Sequence, residues 1–324
     1  MRIALTYNLK RDAREASAEF DSPETIAAII AIVESLGHHV TPLDVTGSIP
    51  RVVAGLRWIR PELVLNLAEG ERGPFREAFY PALFEQLGYA HTGSSASSLA
   101  LCIDKALAKR VVAAAGVAVP RGELVRDAVP RVPLPAIAKP NCEGSSKGIT
   151  AASVVTTREA LVARVGELLE RYPTGVLVEE LIEGLDVSVG WVDGLGILPA
   201  IAYRHDRAIY DYALKHETRE LVRIEIPARV DRQVARRLHD AATRAFAALG
   251  IAGYGRADFR VTPDGEVVFL EMNALPSLAP SEVDLYGAAA QLGASPWELF
   301  GYIIGAGTSV SRYSMVGERP TKSV

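Results

Sequence analysis

The stretch that decides the fold is Val267-Val268-Phe269-Leu270-Glu271-Met272-Asn273, which follows Gly255-Arg256-Ala257-Asp258 across the turn signal Asp264-Gly265. β-Branched and aromatic residues on both sides of an Asp-Gly pair are typical of two antiparallel strands joined by a tight turn. The sequence therefore predicts a hairpin in the C-terminal half of the chain.

Four polar side chains of this hairpin are predicted to share one face. Side chains alternate between the two faces of a strand, so Glu271 and Asn273 point the same way. With an even number of residues in the loop, Arg256 and Asp258 join them. Two carboxylates and an amide oxygen are ligands that suit Mg²⁺. The alternative is a solvated hairpin whose charges lie on its wet face.

The bulk composition is that of an ordinary soluble globular protein. The chain has 324 residues, of which 49% are hydrophobic and 23% charged, and a net charge of −4. This length predicts two or three subdomains, and the charge gives no indication of a nucleic-acid or membrane surface. Cys102 and Cys142 form no disulfide framework or metal-ligand pattern. With no secretory signal and no apolar run of membrane-spanning length, we expect a cytoplasmic protein.

The first part of the chain alternates strands and helices, an order typical of a parallel sheet. Residues 2–7 and Leu63–Leu67 are predicted strands, and residues 74–87 a helix. Another helix begins at Ser22-Pro23-Glu24, which supplies an N-cap, a proline at the first position and an acid.

Further along, the pattern predicts a compact middle unit and a strand-rich region. From 186 to 227 the sequence predicts mainly strands. One of them is an aromatic strand at 210–214, which precedes Lys215 and His216. Thr308 to Val324 are predicted to be a mobile tail. The remaining predictions are helices at 104–115, 158–171, 231–249 and 296–304, and strands at 136–139 and Val176–Glu180.

A polar loop, residues 139–148, follows the strand at 136–139 directly. Its glycines and serines, including Ser145 and Ser146, free backbone N–H groups to bind an anion, and Lys139 adds a positive charge. The Gly-Lys-Ser/Thr ending of a Walker A loop is missing, and many such loops bind nothing. Lys105 is either a second phosphate-facing cation or a solvated helix lysine.

An acidic segment follows the apolar strand at Val176–Glu180. A carboxylate at such a strand end, Glu179, could accept a hydrogen bond from an adenine amino group. Backbone groups of Glu180 and Ile182 could complete the adenine edge, and Asp186 could bind ribose hydroxyls. The alternative is an acidic loop tip without a ligand.

The order of these pieces is more specific than any one of them. Together they resemble the ATP-grasp fold and, within it, the D-alanine–D-alanine ligase family, over nearly the whole chain. The matching pieces are Asp104-Lys105, Lys139-Pro140 with Glu143-Gly144-Ser145-Ser146, Glu179, Tyr210-Asp211-Tyr212, Gly255-Arg256-Ala257-Asp258, Leu270-Glu271-Met272-Asn273 and Tyr89-Ala90-His91-Thr92-Gly93-Ser94.

The resemblance implies an α/β protein that becomes α+β in its C-terminal half. The implied units are an N-terminal parallel βαβ domain (1–98) and two ATP-grasp subdomains with antiparallel sheets (99–180 and 181–307), followed by the tail (308–324). The implied reaction joins a carboxylate to an amine at the expense of ATP, through an acyl phosphate. The implied partners are small amino-acid-like substrates, two Mg²⁺ or Mn²⁺ ions and a second copy of the chain in a homodimer.

The same resemblance implies a role for each matching residue. Lys105 and Lys139 would hold the α- and β-phosphates, with Lys215 near the transferred phosphoryl group. Arg256 would stabilise the oxyanion of the tetrahedral intermediate, and the loop at 143–148, with Glu143 and the catalytic candidate Ser145, would close over the phosphates. The two metal ions would be held by Asp258, Glu271 and Asn273.

The substrate-binding positions depart from the family pattern. Glu69 stands where the family has a histidine, and His216 where it has a tyrosine. Ser277 and Glu282 stand near the family's acceptor-binding serine and leucine, and a glutamate there would repel a carboxylate. These exchanges favour a basic or carboxylate-free acceptor. The substrate amine has three candidate partners, Glu19, Asp21 and Glu24.

Two other functions fit parts of the sequence. A true D-alanine–D-alanine ligase with a remodelled pocket is the alternative within the family. A regulatory ATP-binding module without catalysis would require a missing metal ligand or a missing Arg256, and all of these residues are present. A dinucleotide-binding oxidoreductase is excluded because no Gly-x-Gly-x-x-Gly follows the first strand.

Overall fold

The computed structural model describes residues 1–12, 14–127, 129–280 and 283–314. Within these residues the chain forms one parallel sheet and two antiparallel sheets, covered by helices. The predicted α/β architecture with antiparallel sheets in the later part of the chain is confirmed. None of the helices in these residues is long and apolar enough to cross a membrane.

The N-terminal part is a three-stranded parallel sheet in the order β2-β1-β3. The helix α1 begins as the sequence predicted, because the Ser22 hydroxyl accepts a hydrogen bond from the Thr25 N–H (3.2 Å). The carboxyl ends of the parallel strands meet at one edge, where the loops after β1 and β3 enter the site. The elements are β1 (Arg2–Tyr7), α1 (Pro23–Ser35), β2 (His39–Asp44), α2 (Ile49–Ile59), β3 (Leu63–Leu67) and α3 (Arg76–Gln86).

The central part is a four-stranded antiparallel sheet in the order β4-β7-β5-β6. The helix α5 precedes this sheet in the chain, and Asn141 at the end of β5 holds its start. The Asn141 side chain donates to Asp104 Oδ1 (2.8 Å) and accepts from the Ala106 N–H (2.9 Å). These bonds fix the start of α5 beside the polar loop. The elements are α4 (Ala96–Ile103), α5 (Lys105–Ala114), β4 (Gly122–Val125), β5 (Ala136–Pro140), β6 (Val154–Val155), α6 (Arg158–Arg171) and β7 (Val176–Glu180).

The C-terminal part is built on an antiparallel sheet in the order β11-β10-β8-β12-β13, with β9 paired to β8. The predicted hairpin is β12 and β13, and its aromatic core residues Phe259 and Phe269 meet edge to face at 5.8 Å. The elements are β8 (Leu185–Val192), β9 (Gly196–Ile197), β10 (Ile201–Arg204), α7 (Tyr212–His216), β11 (Arg223–Glu225), α8 (Arg232–Ala248), β12 (Tyr254–Val261), β13 (Val267–Asn273), α9 (Val283–Ala290) and α10 (Pro296–Ser314).

Two predictions about these elements were wrong. The predicted aromatic strand before Lys215 is the short helix α7, because the Asp211 carboxylate caps it by accepting from the Leu214 N–H (3.0 Å). The predicted tail does not start at 308, since α10 continues to Ser314. The rest of that tail, 315–324, lies outside the described residues. The helices α2, α4 and α9 were not predicted.

Candidate active site

A cavity of about 400 Å³ collects residues from all three parts of the chain. Glu179, Glu180 and Ile182 are not among its lining residues, and Glu282 lies outside the described part of the chain. The predicted site residues that line the cavity are Glu69, Lys105, Lys139, Glu143, Ser145, Ser146, Asp186, Lys215, His216, Arg256, Asp258, Glu271, Asn273 and Ser277.

The floor of the cavity is the polar face of the β12–β13 hairpin. Arg256 pairs with Asn273 across the hairpin and Asp258 with Glu271, so the predicted common face is confirmed. The expected even loop is not, because Val261 pairs with Val267 around a loop of five residues, and a β-bulge between Asp258 and Phe259 restores the common face. Arg256 donates to both Asp258 oxygens (2.9 Å each) and to Asp284 Oδ2 (3.2 Å). Burial disfavours its charge, but these two carboxylates raise the pKa of Arg256 well above its usual value. The guanidinium is therefore a fixed positive charge at the cavity floor.

The floor also presents oxygen atoms of the kind that hold a divalent metal. Glu271 keeps 37% of its side-chain surface exposed to the cavity. Burial raises its pKa, but Lys105, Lys139 and Lys215 outweigh that effect and lower the pKa of Glu271 to about 2. Asp258 and Asn273 lie beside it on the same face. Permanent carboxylate charge and an amide oxygen fit Mg²⁺ or Mn²⁺.

Buried lysines stand next to this floor. Lys105 Nζ lies 3.3 Å from Glu271 Oε2 and also donates to the Glu143 carbonyl. Glu179 accepts from Lys139 Nζ (3.0 Å) and from Lys109 Nζ, so two ammonium groups share one carboxylate. Burial lowers the pKa of Lys109 to about 7 despite this contact. The surplus of positive charge favours an anion at this end of the cavity, which we call the phosphate end.

Lys215 reaches the same end from α7. No hydrogen bond or ion pair joins its side chain to another described residue, although it lines the cavity. Burial and the neighbouring Arg256 lower its pKa, and Asp258, Glu271 and Asp284 only partly oppose them. The adjacent His216 ring lies 3.2 Å from the Ser145 carbonyl, so α7 contacts the polar loop.

The second part of the polar loop, residues 143–148, lines the cavity in a strained conformation. Ser145 and Ser146 have φ angles of 50° and 57°, in the left-handed region that non-glycine residues rarely adopt. Gly144 is required for a different reason, because a Cβ there would lie 2.2 Å from Glu19 Oε1. The loop is thus fitted closely against a side chain of the N-terminal part.

Four carboxyl groups line another part of the cavity: Glu19, Asp21, Glu69 and Glu77. Glu19 accepts from Arg76 Nη2 (2.9 Å) and from Lys147 Nζ (2.7 Å). We call this group of four the acidic end. Burial raises the pKa of Asp21 to about 7, while burial and neighbouring carboxylates raise that of Glu69 well above its usual value.

Of the three predicted partners for a substrate amine, two lie at the acidic end and one does not. Glu19 and Asp21 line the cavity. Glu24 is exposed in the first turn of α1 and is not among the lining residues.

The residues predicted for adenine and ribose already have protein partners. Glu180 accepts from the Arg121 N–H (2.9 Å), and both Glu179 oxygens accept from lysines. Asp186 lies 2.9 Å from His205 Nε2 and 3.0 Å from Arg260 Nη2. Their contacts with a nucleotide stay predictions.

Sequence reasoning missed several charged residues of the site. Lys109 carried a local signal, because it lies four residues after Lys105 and hence on the same helix face. Arg76, Lys147 and Asp284 gave no such signal, since their partners Glu19 and Arg256 are distant in sequence. Glu77 likewise enters the site only through folding.

Comparison with known proteins identifies the family. The family described as "D-ala D-ala ligase C-terminus" matches residues 110–304. A D-alanine–D-alanine ligase of Desulforudis audaxviator is 33% identical over 274 residues, which cover 82% of this chain and 86% of that relative. The chain is a member of the D-alanine–D-alanine ligase family. Another relative of that name, from Gluconobacter oxydans, is 32% identical over 285 residues, covering 86% and 91% of the two chains.

Solved structures agree with this family fold. A D-alanine–D-alanine ligase of Bacillus anthracis complexed with ATP superposes with a TM-score of 0.78 at 19% identity, covering 97% of this chain and 99% of that one. The VanG D-Ala:D-Ser ligase of Enterococcus faecalis superposes with a TM-score of 0.73 at 23% identity, covering 94% of this chain and 98% of that one. The predicted ATP-grasp fold and family are confirmed, and this family member is an ATP-dependent acid–amino-acid ligase.

Proposed function

We propose that this ligase activates one amino-acid-like substrate at the phosphate end of the cavity and couples it there to an amine. The observation that carries the proposal is the position of Lys105, Lys139 and Lys215 around the anionic Glu271, in the same cavity as Arg256. Buried ammonium groups in excess of their carboxylate partners are suited to bind phosphates.

The reaction follows from the chemistry of the leaving group. A carboxylate oxygen of the first substrate attacks the γ-phosphorus of ATP, the bond to the β-phosphate oxygen breaks, and ADP leaves. The amine of the second substrate then attacks the carbonyl carbon of the acyl phosphate. As the tetrahedral intermediate collapses, the carbon–oxygen bond to phosphate breaks and the amine loses a proton, which leaves an amide and inorganic phosphate.

The residues of the phosphate end divide this work. Lys105, Lys139 and Lys215 bind and orient the phosphates, and Arg256 stabilises the negative charge that develops on the carbonyl oxygen. Asp258, Glu271 and Asn273 hold Mg²⁺ or Mn²⁺, two ions in all. When bound, such ions neutralise phosphate charge. Support for this comes from the donor types and from the permanent charge of Glu271.

The loop at 143–148 excludes water from the acyl phosphate in this proposal. The backbone N–H groups of Glu143, Ser145 and Ser146 and the two serine hydroxyls bind the ATP phosphates. Glu179, Glu180, Ile182 and Asp186 serve the adenine and ribose. Support comes from the left-handed φ angles of Ser145 and Ser146, which turn successive backbone groups toward one side.

D-alanine as both substrates is the second candidate. The names of the relatives favour it, since both are called D-alanine–D-alanine ligases. In that case His216 and Ser277 contact a small neutral substrate from the cavity wall. The four carboxyl groups of the acidic end distinguish the two candidates, because alanine brings only one cationic group.

We further propose that the protein is a cytoplasmic homodimer. Within each chain, the domain boundaries lie between residues 98 and 99 and between residues 180 and 181. The two buried cysteines are free thiols, which supports a reducing compartment. Light scattering of the purified chain tests the dimer, for which twice the mass of 34.8 kDa is expected.

The substitution Lys215→Met tests the proposed function. It removes the charge of a side chain that has no partner in the described residues, so the melting temperature should stay within a few degrees. The turnover number with Mg-ATP should fall by about 100-fold or more, because a charge that stabilises the transferred phosphoryl group is lost. Arg236→Met on the exposed face of α8 is the matched control. Full activity of the Lys215 variant would contradict the proposal.

A further inference from the structure

The acidic end of the cavity holds more carboxyl groups than the protein itself pairs with cations. Carboxylate oxygens of Glu19, Glu69 and Glu77 lie within 4.8 Å of one another. They come from three separate segments: the loop after β1, the loop after β3 and the first turn of α3. The fold has therefore brought together like charges that are far apart in sequence.

Within the described part of the chain, one of these three carboxylates has partners and the other two have none. Arg76 and Lys147 contact Glu19, and both cations are also shared with Glu143 at 3.3 and 2.8 Å. Among the described residues, no hydrogen bond or ion pair joins Glu69 or Glu77 to another side chain. Glu77 is only 9% exposed and lines the cavity. The N-terminus of α3 offsets part of its charge, but a buried carboxylate without a hydrogen-bonded partner remains costly.

Three carboxyl groups of the acidic end have no hydrogen bond or ion pair in the described residues: Asp21, Glu69 and Glu77. The nearby cations are already engaged, because Arg76 and Lys147 pair with Glu19 and Glu143, and Lys105 pairs with Glu271. Burial raises the pKa of all three groups, although Lys10 acts on Asp21 and Lys105 on Glu77. One ammonium group of an ordinary amino acid would give a partner to only part of this set.

The positions of the unpartnered carboxylates are fixed before any ligand arrives. Gly70 follows Glu69 with a φ of +77°, and a Cβ there would lie 2.5 Å from the Arg76 carbonyl. Its N–H donates to Asn8 Oδ1 (2.9 Å), which holds the turn against the loop after β1. A turn so tightly packed holds Glu69 beside Glu77, and such preorganisation favours ligand binding.

We propose that Glu69 and Glu77 bind a cationic group that one substrate carries in addition to its α-amino group. The inference rests on the proposed function and specifies its substrate class: a diamino acid or another amino acid with a cationic side chain. When the α-ammonium group lies at Asp21 and the side-chain cation lies between Glu69 and Glu77, all three carboxyl groups have a cationic partner.

A metal ion fits the three carboxylates less well. Both oxygens of Glu19 accept hydrogen bonds from Arg76 Nη2, at 3.1 and 2.9 Å, and one also accepts from Lys147. A divalent ion there would compete with these donors and stand next to a guanidinium and an ammonium group, which it would repel. An ammonium group needs only the free oxygens of Glu69 and Glu77.

The test compares diamino acids with neutral amino acids of matched length. ADP release is measured with 2,3-diaminopropionate, 2,4-diaminobutyrate, ornithine and lysine in both stereochemical forms, each alone and mixed with alanine. The neutral counterparts, in the same order, are 2-aminobutyrate, norvaline, norleucine and 2-aminoheptanoate. The variants are Glu69→Gln and Glu77→Gln, with Glu34→Gln on the exposed face of α1 as the control. A diamino acid should exceed its neutral counterpart by about 100-fold in kcat/KM. Each active-site variant should reduce that ratio at least tenfold and leave KM for ATP unchanged.

Other outcomes separate this inference from the proposed function. Turnover of neutral amino acids that neither variant changes would overturn the inference and leave the proposed function in place. If no pair of amino acids gives ADP release, calorimetric binding of ornithine with a non-hydrolysable ATP analogue decides; loss of binding in Glu77→Gln supports the inference, and equal binding overturns it. Stabilisation of the protein by Mn²⁺ alone, lost in both variants, would assign the cluster to a metal and overturn it as well.

Discussion

Asp21→Asn should make the protein more stable, and increasingly so as the pH rises. The backbone of Asp21 is held by bonds to Asn8 and Lys10 (3.1 and 2.8 Å), which the substitution leaves in place. Its carboxyl group has no hydrogen bond in the described residues, and burial, only partly opposed by Lys10, raises its pKa from 3.8 to about 7. Asparagine has the same shape and no charge to desolvate.

The sign and size of the effect follow from this pKa. Below pH 4 the carboxyl is protonated in both the folded and the unfolded state, so it costs nothing. Between pH 4 and 7 only the unfolded state ionises, and stability of the wild type falls until the folded state ionises as well. The rise in pKa corresponds to about 4 kcal/mol above pH 7. Because the group lines a cavity open to water, we expect about half of this, roughly 2 kcal/mol.

Thermal unfolding at pH 5 and pH 8 measures the effect. A gain of roughly 2 kcal/mol in a chain of this size corresponds to a rise of about 3 °C in Tm at pH 8, with a smaller rise at pH 5. Glu34→Gln, an exposed change on α1, should show no such dependence on pH. An equal Tm difference at the two pH values, or a variant less stable than wild type at pH 8, would refute the reasoning.

Two further substitutions test separate parts of the site. Arg256→Ala should lower kcat by about 100- to 1000-fold and leave KM for ATP nearly unchanged, because the guanidinium acts on charge that develops only in the transition state; a rise in KM alone would contradict the oxyanion role. Gly144→Ala should lower kcat and raise KM for ATP, because the new Cβ would lie 2.2 Å from Glu19 Oε1 and push the loop off the cavity. Gly166→Ala on α6, where a Cβ meets nothing within 4 Å, is its control and should be silent.

The parts of the fold that the sequence predicted are those governed by local rules. The hairpin itself followed from alternation and the Asp-Gly turn signal, and Arg256, Asp258, Glu271 and Asn273 share a face as expected. They do so through a five-residue loop and a β-bulge, neither of which was predicted. The strand Val176–Glu180 and the helix Arg158–Arg171 were predicted to the residue. Each of these elements has a clear hydrophobic period and a turn or cap at its ends. Local sequence was therefore enough to predict where it begins and ends.

Competing local signals explain what was missed. At 210–214 the tyrosines favour a strand, but Asp211 is an N-cap whose bond to Leu214 starts a helix, and the cap prevailed. The acidic end could not be foreseen, because Glu19, Glu69 and Glu77 belong to segments that only the parallel sheet brings to one edge. Glu69 was recognised as unusual in sequence, whereas its neighbour Glu77 was not.

The most direct test of the central claim follows an oxygen atom. With a pair of amino acids that gives turnover, the carboxylate of the first substrate is labelled with ¹⁸O and the released phosphate is analysed by mass spectrometry. Because the acyl phosphate passes one carboxylate oxygen to phosphorus, one ¹⁸O should appear in each phosphate, together with one amide and one ADP. Unlabelled phosphate, or ADP formed without an amide, would contradict the account and favour an ATPase or a regulatory ATP-binding role.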